Sequence, residues 1–202
     1  MSCQKRASEQ ALPYYNTADF SPIFIDDEQQ VNTWVDHTIR NFSLLDEDSA
    51  VISQQDVKGK IHVANFIFTS CGNICPAMTS NMKTVSDKFK SNPDIVFLSF
   101  TVTPWIDKPH VLKKYKLLHE IDHDNWHFLT GRKSDIYQLA RQSYFAEEQL
   151  GFTKDSTEFL HTEHFLLIDR DLRIRGIYNG TLRLEMDMLA DDIHTLLQED
   201  GS

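Results

Sequence analysis

Hydrophobic and polar positions divide the chain into a polar start, a patterned middle and a polar end. Ile61 to Phe68 is almost uninterrupted apolar sequence, too uniform for a half-exposed strand, and predicts a strand buried on both faces. Met78, Met82, Val85 and Phe89 follow at helical spacing, and Asn92-Pro93 closes that helix. Ile95 to Val102 predicts a second buried strand. Val111, Leu112, Tyr115 and Leu118 stripe a helix over Lys108 to His119. Trp126 to Leu129 reads as a short strand, and Ser134 to Gln142 as a helix. Glu163 to Ile168 and Leu172 to Tyr178 read as antiparallel mates about the Asp169-Arg170-Asp171 turn. Leu182, Met186, Leu189, Ile193 and Leu197 mark a final helix. The order strand, helix, strand, helix, strand, helix, strand, strand, helix predicts one α/β domain with a mixed sheet flanked by helices.

The flanks are less regular. Residues 1–20 read as a flexible polar tether, and residues 21–200 as a single domain. Val51, Ile52 and Val57 before Lys58-Gly59-Lys60 suggest a hairpin-like N-terminal extension. Ser143 to Phe159 does not alternate cleanly and reads as an inserted loop or hairpin.

Charge and composition narrow the partners. The net charge of -10 argues against a nucleic-acid backbone as ligand, which calls for clustered Lys and Arg. No run reaches the eighteen apolar residues that suggest a membrane span. No signal peptide is evident, so the chain reads as cytoplasmic or as lacking its targeting segment. Cys3 has two readings: a free surface thiol, or the lipidated first residue of a mature lipoprotein behind a substituted Met-Ser.

Three cysteines in 202 residues make a close pair informative. The run Cys71-Gly72-Asn73-Ile74-Cys75-Pro76 lies between the first buried strand and its helix. Gly72, Asn73 and Pro76 make it a turn, not a core segment in which two cysteines act as small hydrophobes. Two thiols mounted this way could close a disulfide or share a soft metal such as Cu(I), zinc or an iron–sulfur centre. With Cys3 remote on the tail, a metal site of three or four ligands must borrow from histidine. Among the nine histidines, His161 and His164 flank the start of the Glu163 strand. Three positions apart on a strand they would face opposite ways, so at most one faces the thiols. His110, His119, His123 and His127, near Asp122 and Asp124, read as a solvated face, with weak metal capture as the sharper alternative. Met78 and Met82 read as core.

The chain resembles the Sco/SenC family, thioredoxin-like proteins that help assemble the dinuclear copper centre of cytochrome c oxidase. The resemblance runs from about Phe42 to Leu197. It rests on Cys71-Gly72-Asn73-Ile74-Cys75-Pro76, on His161-Thr162 followed by Leu167-Ile168, on Lys58-Gly59-Lys60 and on Leu129-Thr130-Gly131. It implies a thioredoxin-like fold and a copper site, for Cu(I) or Cu(II), built from Cys71, Cys75 and His161. It implies transfer of copper to an accepting subunit of cytochrome c oxidase, with a thiol reductant as a further partner. An extracytoplasmic location is implied too, in the periplasm as a lipoprotein held to the membrane through Cys3. The same two cysteines equally suit a thiol–disulfide oxidoreductase that reduces the acceptor, so the resemblance leaves metallochaperone and enzyme open. Relatives commonly carry Asp-Pro after the second central strand; Thr103-Pro104 stands there, and Asp107 is the nearby carboxylate that could replace it.

Overall fold

The computed structural model describes residues 11–25, 27–72, 74–146 and 162–199. Its first strands, β1 (Tyr14–Tyr15) and β2 (Pro22–Ile23), are two residues each. Helix α1 (Glu28–Trp34) follows, its N-terminus capped by the Asp27 carboxylate accepting from the Gln29 amide. Strands β3 (Ser43–Leu45) and β4 (Val51–Ser53) form a separate hairpin. The one-turn helix α2 (Gln54–Val57) carries a reciprocal capping box between Ser53 and Asp56.

The central sheet then begins. Strand β5 (Ile61–Ile67) and strand β6 (Ile95–Thr101) are buried at every position, as a strand covered on both faces must be. Helix α3 (Ile74–Phe89) connects them, and α4 (Pro109–Leu118) leads from β6 to β7 (Trp126–Leu129). Helix α5 (Lys133–Gln142) precedes β8 (His164–Ile168), β9 (Ile174–Asn179) and the closing helix α6 (Arg183–Glu199). The sheet order is β2-β1-β9-β8-β5-β6-β7, with β5, β6 and β7 parallel and β8, β9, β1 and β2 alternating antiparallel. This is a thioredoxin-like mixed sheet with extra strands.

Strand alternation sorts the core into two layers. Ile61, Val63 and Ile67 face α3, α4 and α6 together with Met78, Met82, Leu112 and Ile193. Ala64 and Phe66 face α5 and the N-terminal pieces with Ile39, Leu44, Ile136 and Tyr144. The methionines predicted as core are wholly buried. The sheet begins inside the stretch that reads as a tether: Tyr15 pairs with Ile174, and Arg175 donates to the carbonyls of Leu12 and Pro13. Arg175 also pairs with Asp169 and Glu199 and lies under the Tyr14 ring, tying the chain's first described segment to its last helix. The expected insertion lies almost entirely outside the described residues, as do Cys3 and His161.

Candidate dithiol and metal site

Parallel strands β5 and β6 end together, Ile67 opposite Thr101, and the chemistry-bearing loops leave from that edge. Strand β8 runs antiparallel to β5, so its first residue, His164, lies at the same end. Phe68 to Gly72 carries the chain from β5 towards α3. The Cys71 amide donates to the Phe68 carbonyl at 3.2 Å. Cys75 is the second residue of α3, and its amide donates to the Cys71 sulfur at 3.4 Å. No disulfide joins the two; Cys71 is half-buried and Cys75 buried. The spacing thus does bring the two cysteines to one turn.

Their environments differ. Burial pushes the Cys75 thiol up to about 12; a backbone hydrogen bond from Phe68 pulls the other way, while Cys71 and the Asp107 carboxylate push further up. Tyr115 is raised to about 12, first by burial, then by the charges of Cys75, Cys71 and Asp107, against a lowering hydrogen bond with Thr79. That bond, 2.8 Å between hydroxyls, joins α4 to α3 one turn beyond Cys75. Cys71 receives an amide at a helix N-terminus, an arrangement that favours negative charge on its sulfur. Chemically this is an outer, attackable thiol backed by an inner, protected one.

Beneath the loop lies Asp107, wholly buried. Its carboxylate accepts from the Thr69 hydroxyl at 2.5 Å and the Thr69 amide at 3.2 Å, and from the hydroxyls of Thr101 at 2.5 Å and Thr103 at 2.9 Å. The carboxylate that could replace the missing Asp-Pro acid is therefore bound to Thr69, on the loop that carries Cys71. Its three threonine partners were not legible beforehand. Thr101 and Thr103, two apart on one face of an extended segment, were the available sign.

The histidines separate. The described residues next to His161, Thr162 and Glu163, lead into β8 at the thiol edge; the Thr162 hydroxyl accepts from the His164 amide, and the Glu163 carbonyl from the Gly180 amide. His164 packs edge-on against Phe20. His119 stacks on Tyr115, His123 lies 2.8 Å from Asp87 without hydrogen-bond alignment, and His127 lies 3.4 Å from Asp46. His119, His123 and His127 thus have separate partners. Among the described residues, Asp46, Glu47 and His127 do bring potential metal-ligating atoms within 4.8 Å of one another. A cation already serves that cluster: Lys116 pairs with Glu47, whose other oxygen accepts the Phe128 amide at 2.8 Å.

The SCO1/SenC family model matches residues 31–198. The chain belongs to the SCO1/SenC family. It is 33% identical over 167 residues to the SCO1 protein homolog of Bacillus subtilis strain 168, covering 82% of this chain and 86% of that one. A SCO1/SenC family lipoprotein from Bacillus anthracis strain Ames superposes with a TM-score of 0.69 at 29% identity, over 80% of this chain and 95% of the other. BsSco, described as a member of the Sco family of cytochrome c oxidase assembly proteins with a disulfide switch, gives 0.67 at 33% identity, over 79% and 93%. ScoI of Bradyrhizobium japonicum with copper bound shares the fold at 0.63 and 22% identity, over 79% and 99%. This SCO1/SenC protein carries Cys71 on the loop between the first central strand and α3, and Cys75 in the first turn of α3.

Proposed function

We propose that this SCO1/SenC protein is a copper-binding metallochaperone that helps assemble the dinuclear copper centre of cytochrome c oxidase. The observation that carries the reading is the pair of cysteines, one half-buried and one buried and not joined in a disulfide, meeting at the sheet edge of this fold. Copper is the cargo. Thiolate sulfur is the soft donor that Cu(I) selects, and an imidazole nitrogen completes a three-ligand set. Cys71, Cys75 and His161 are that set; with water or another ligand added, it also holds Cu(II). Transfer proceeds by ligand exchange with the copper-accepting subunit, and oxidation of the pair to a disulfide abolishes the site until a thiol reductant restores it. A location outside the cytoplasm, with a lipid on Cys3 as the membrane anchor, goes with this reading; lipid labelling that survives Cys3→Ser refutes the anchor. The single working domain takes in the β1 segment as well as the residues from 21 onward.

The test is a Cu(I) and Cu(II) titration of the reduced protein beside Cys71→Ser, Cys75→Ser and His161→Ala. Stoichiometric binding by the wild type and loss in each variant is expected. Equal binding by all four sinks the assignment.

A second reading is favoured by the asymmetry of the thiols. In a thiol–disulfide oxidoreductase, the Cys71 thiolate attacks an acceptor disulfide and expels one acceptor thiolate. Cys75 then attacks the mixed disulfide, releases the second, and leaves Cys71–Cys75 oxidised by two electrons. His161→Ala decides: copper lost with exchange intact supports the metallochaperone. Rapid exchange by a wild type that holds no copper supports the enzyme.

A further inference from the structure

Cys75 is fixed by α3, but Cys71 sits on a loop whose next residue is Gly72, with open space where a Cβ would stand. Besides the bond from the Cys71 amide to the Phe68 carbonyl, that loop is held from outside. Thr69, two residues before Cys71, is bound twice by Asp107, through amide and hydroxyl. The same carboxylate gathers Thr101 and Thr103 at the end of β6. Asp107 is itself held by its amide, which donates to the Thr103 carbonyl at 2.9 Å, just before α4 starts. One buried group therefore spans the exit of β5 and the exit of β6.

We propose that Asp107 is the positioning residue of the dithiol loop, a carboxylate clamp that sets the reach of Cys71 towards Cys75 from the neighbouring strand. The inference rests on the reading of this pair as the working dithiol. Held groups react and pair with a high effective concentration, and a loosened loop lowers it. The clamp thus sets how readily the two sulfurs close on each other, and how well they present one site to a metal. Oxygen Oδ2 accepts three donors and Oδ1 one, a pattern that suits a carboxylate and that an amide reproduces only in part.

The experiment uses the metal-free full chain. The Cys71–Cys75 disulfide is equilibrated against a reference dithiol, and amide hydrogen exchange is followed in the reduced state. Asp107→Asn and Thr69→Val are compared with Ile193→Val, a core lesion in α6. Asp107→Asn and Thr69→Val are expected to shift the equilibrium towards the dithiol by about tenfold, close to 30 mV for a two-electron couple. Exchange at the Thr69 amide should rise by at least about tenfold in Asp107→Asn, an opening confined to this loop. Ile193→Val should lower the melting temperature without moving the equilibrium. Wild-type equilibrium and wild-type Thr69 exchange in Asp107→Asn overturn the proposal, as does an equal shift in Ile193→Val. If the wild type forms no intramolecular disulfide, the reading of the pair as a working dithiol falls. Thr69 exchange then decides the clamp alone: faster in Asp107→Asn supports it, and unchanged overturns it.

Discussion

Acidification should unfold this protein through one residue far from the thiols. His62 lies in the middle of the sheet, wholly buried, with Nε2 3.1 Å from the Tyr144 hydroxyl and with Nδ1 unpartnered. Desolvation lowers its pKa from 6.5 to about 3. The folded value is depressed, so the unfolded chain binds the proton first as pH falls. The contribution is complete above about pH 6.5, declines with falling pH, and is gone near pH 3. Each pKa unit is 1.36 kcal/mol, so the full span is about 5 kcal/mol and the step from pH 6 to pH 4 is about 2.7 kcal/mol. That is a large part of a domain's net stability of roughly 5–15 kcal/mol. Asp169 and Asp192, whose pKa values burial raises, act in the opposite sense, so the His62 contribution has to be read as a difference. Urea unfolding at pH 7, 6, 5 and 4 should be compared for the wild type, His62→Phe and Tyr144→Phe. The wild type should lose about 1.4 kcal/mol per pH unit relative to His62→Phe between pH 6 and 4. Tyr144→Phe keeps a buried imidazole and should keep the slope. Parallel profiles for wild type and His62→Phe would refute the reasoning.

Other outcomes follow from the same coordinates. Iodoacetamide at pH 7.5 should modify Cys71 at least about 100-fold faster than Cys75, whose thiol is buried and raised to about 12, as mass mapping of the labelled peptides will tell. Comparable rates would contradict the inner and outer assignment. Arg175→Ala strips one partner from a buried charge cluster and should cost about 3–5 kcal/mol, with early proteolysis near Leu12 and Pro13. A Cβ on Gly180 would come within 2.5 Å of the Phe165 ring. Gly180→Ala should therefore destabilise by about 1–3 kcal/mol in denaturant titration; a neutral result would mean that Phe165 moves freely.

Much of the architecture was legible because its cause is local. The two buried strands carry apolar residues at nearly every step, and the α3 and α6 stripes keep a helical period. Helix α1 is hard to read because its start is an acidic run, Asp26-Asp27-Glu28, in which Asp27 is the cap. Helix α2 was missed although its Ser53–Asp56 box is a readable signal. The short strands β1 and β2 owe their state to β9 and Arg175, partners some 150 residues away that no local pattern announces. The thiol turn was plain from two cysteines and a proline. The role of Asp107 needed the fold, since Thr69 and Thr101 meet its carboxylate only when β5 and β6 lie side by side.

Among the described residues, both borders of the sheet are partly covered. At one, Leu45 exchanges backbone hydrogen bonds with Thr130, Glu47 takes the Phe128 amide, and Lys116 takes the Trp126 carbonyl. At the other stands β2, two residues long and opened by Pro22. A visiting chain finds little main chain on which to add a strand, and the commonest nonspecific way for β-proteins to stick together is blunted. Ile74, Trp105 and Ile106 stand exposed on the segments that follow β5 and β6.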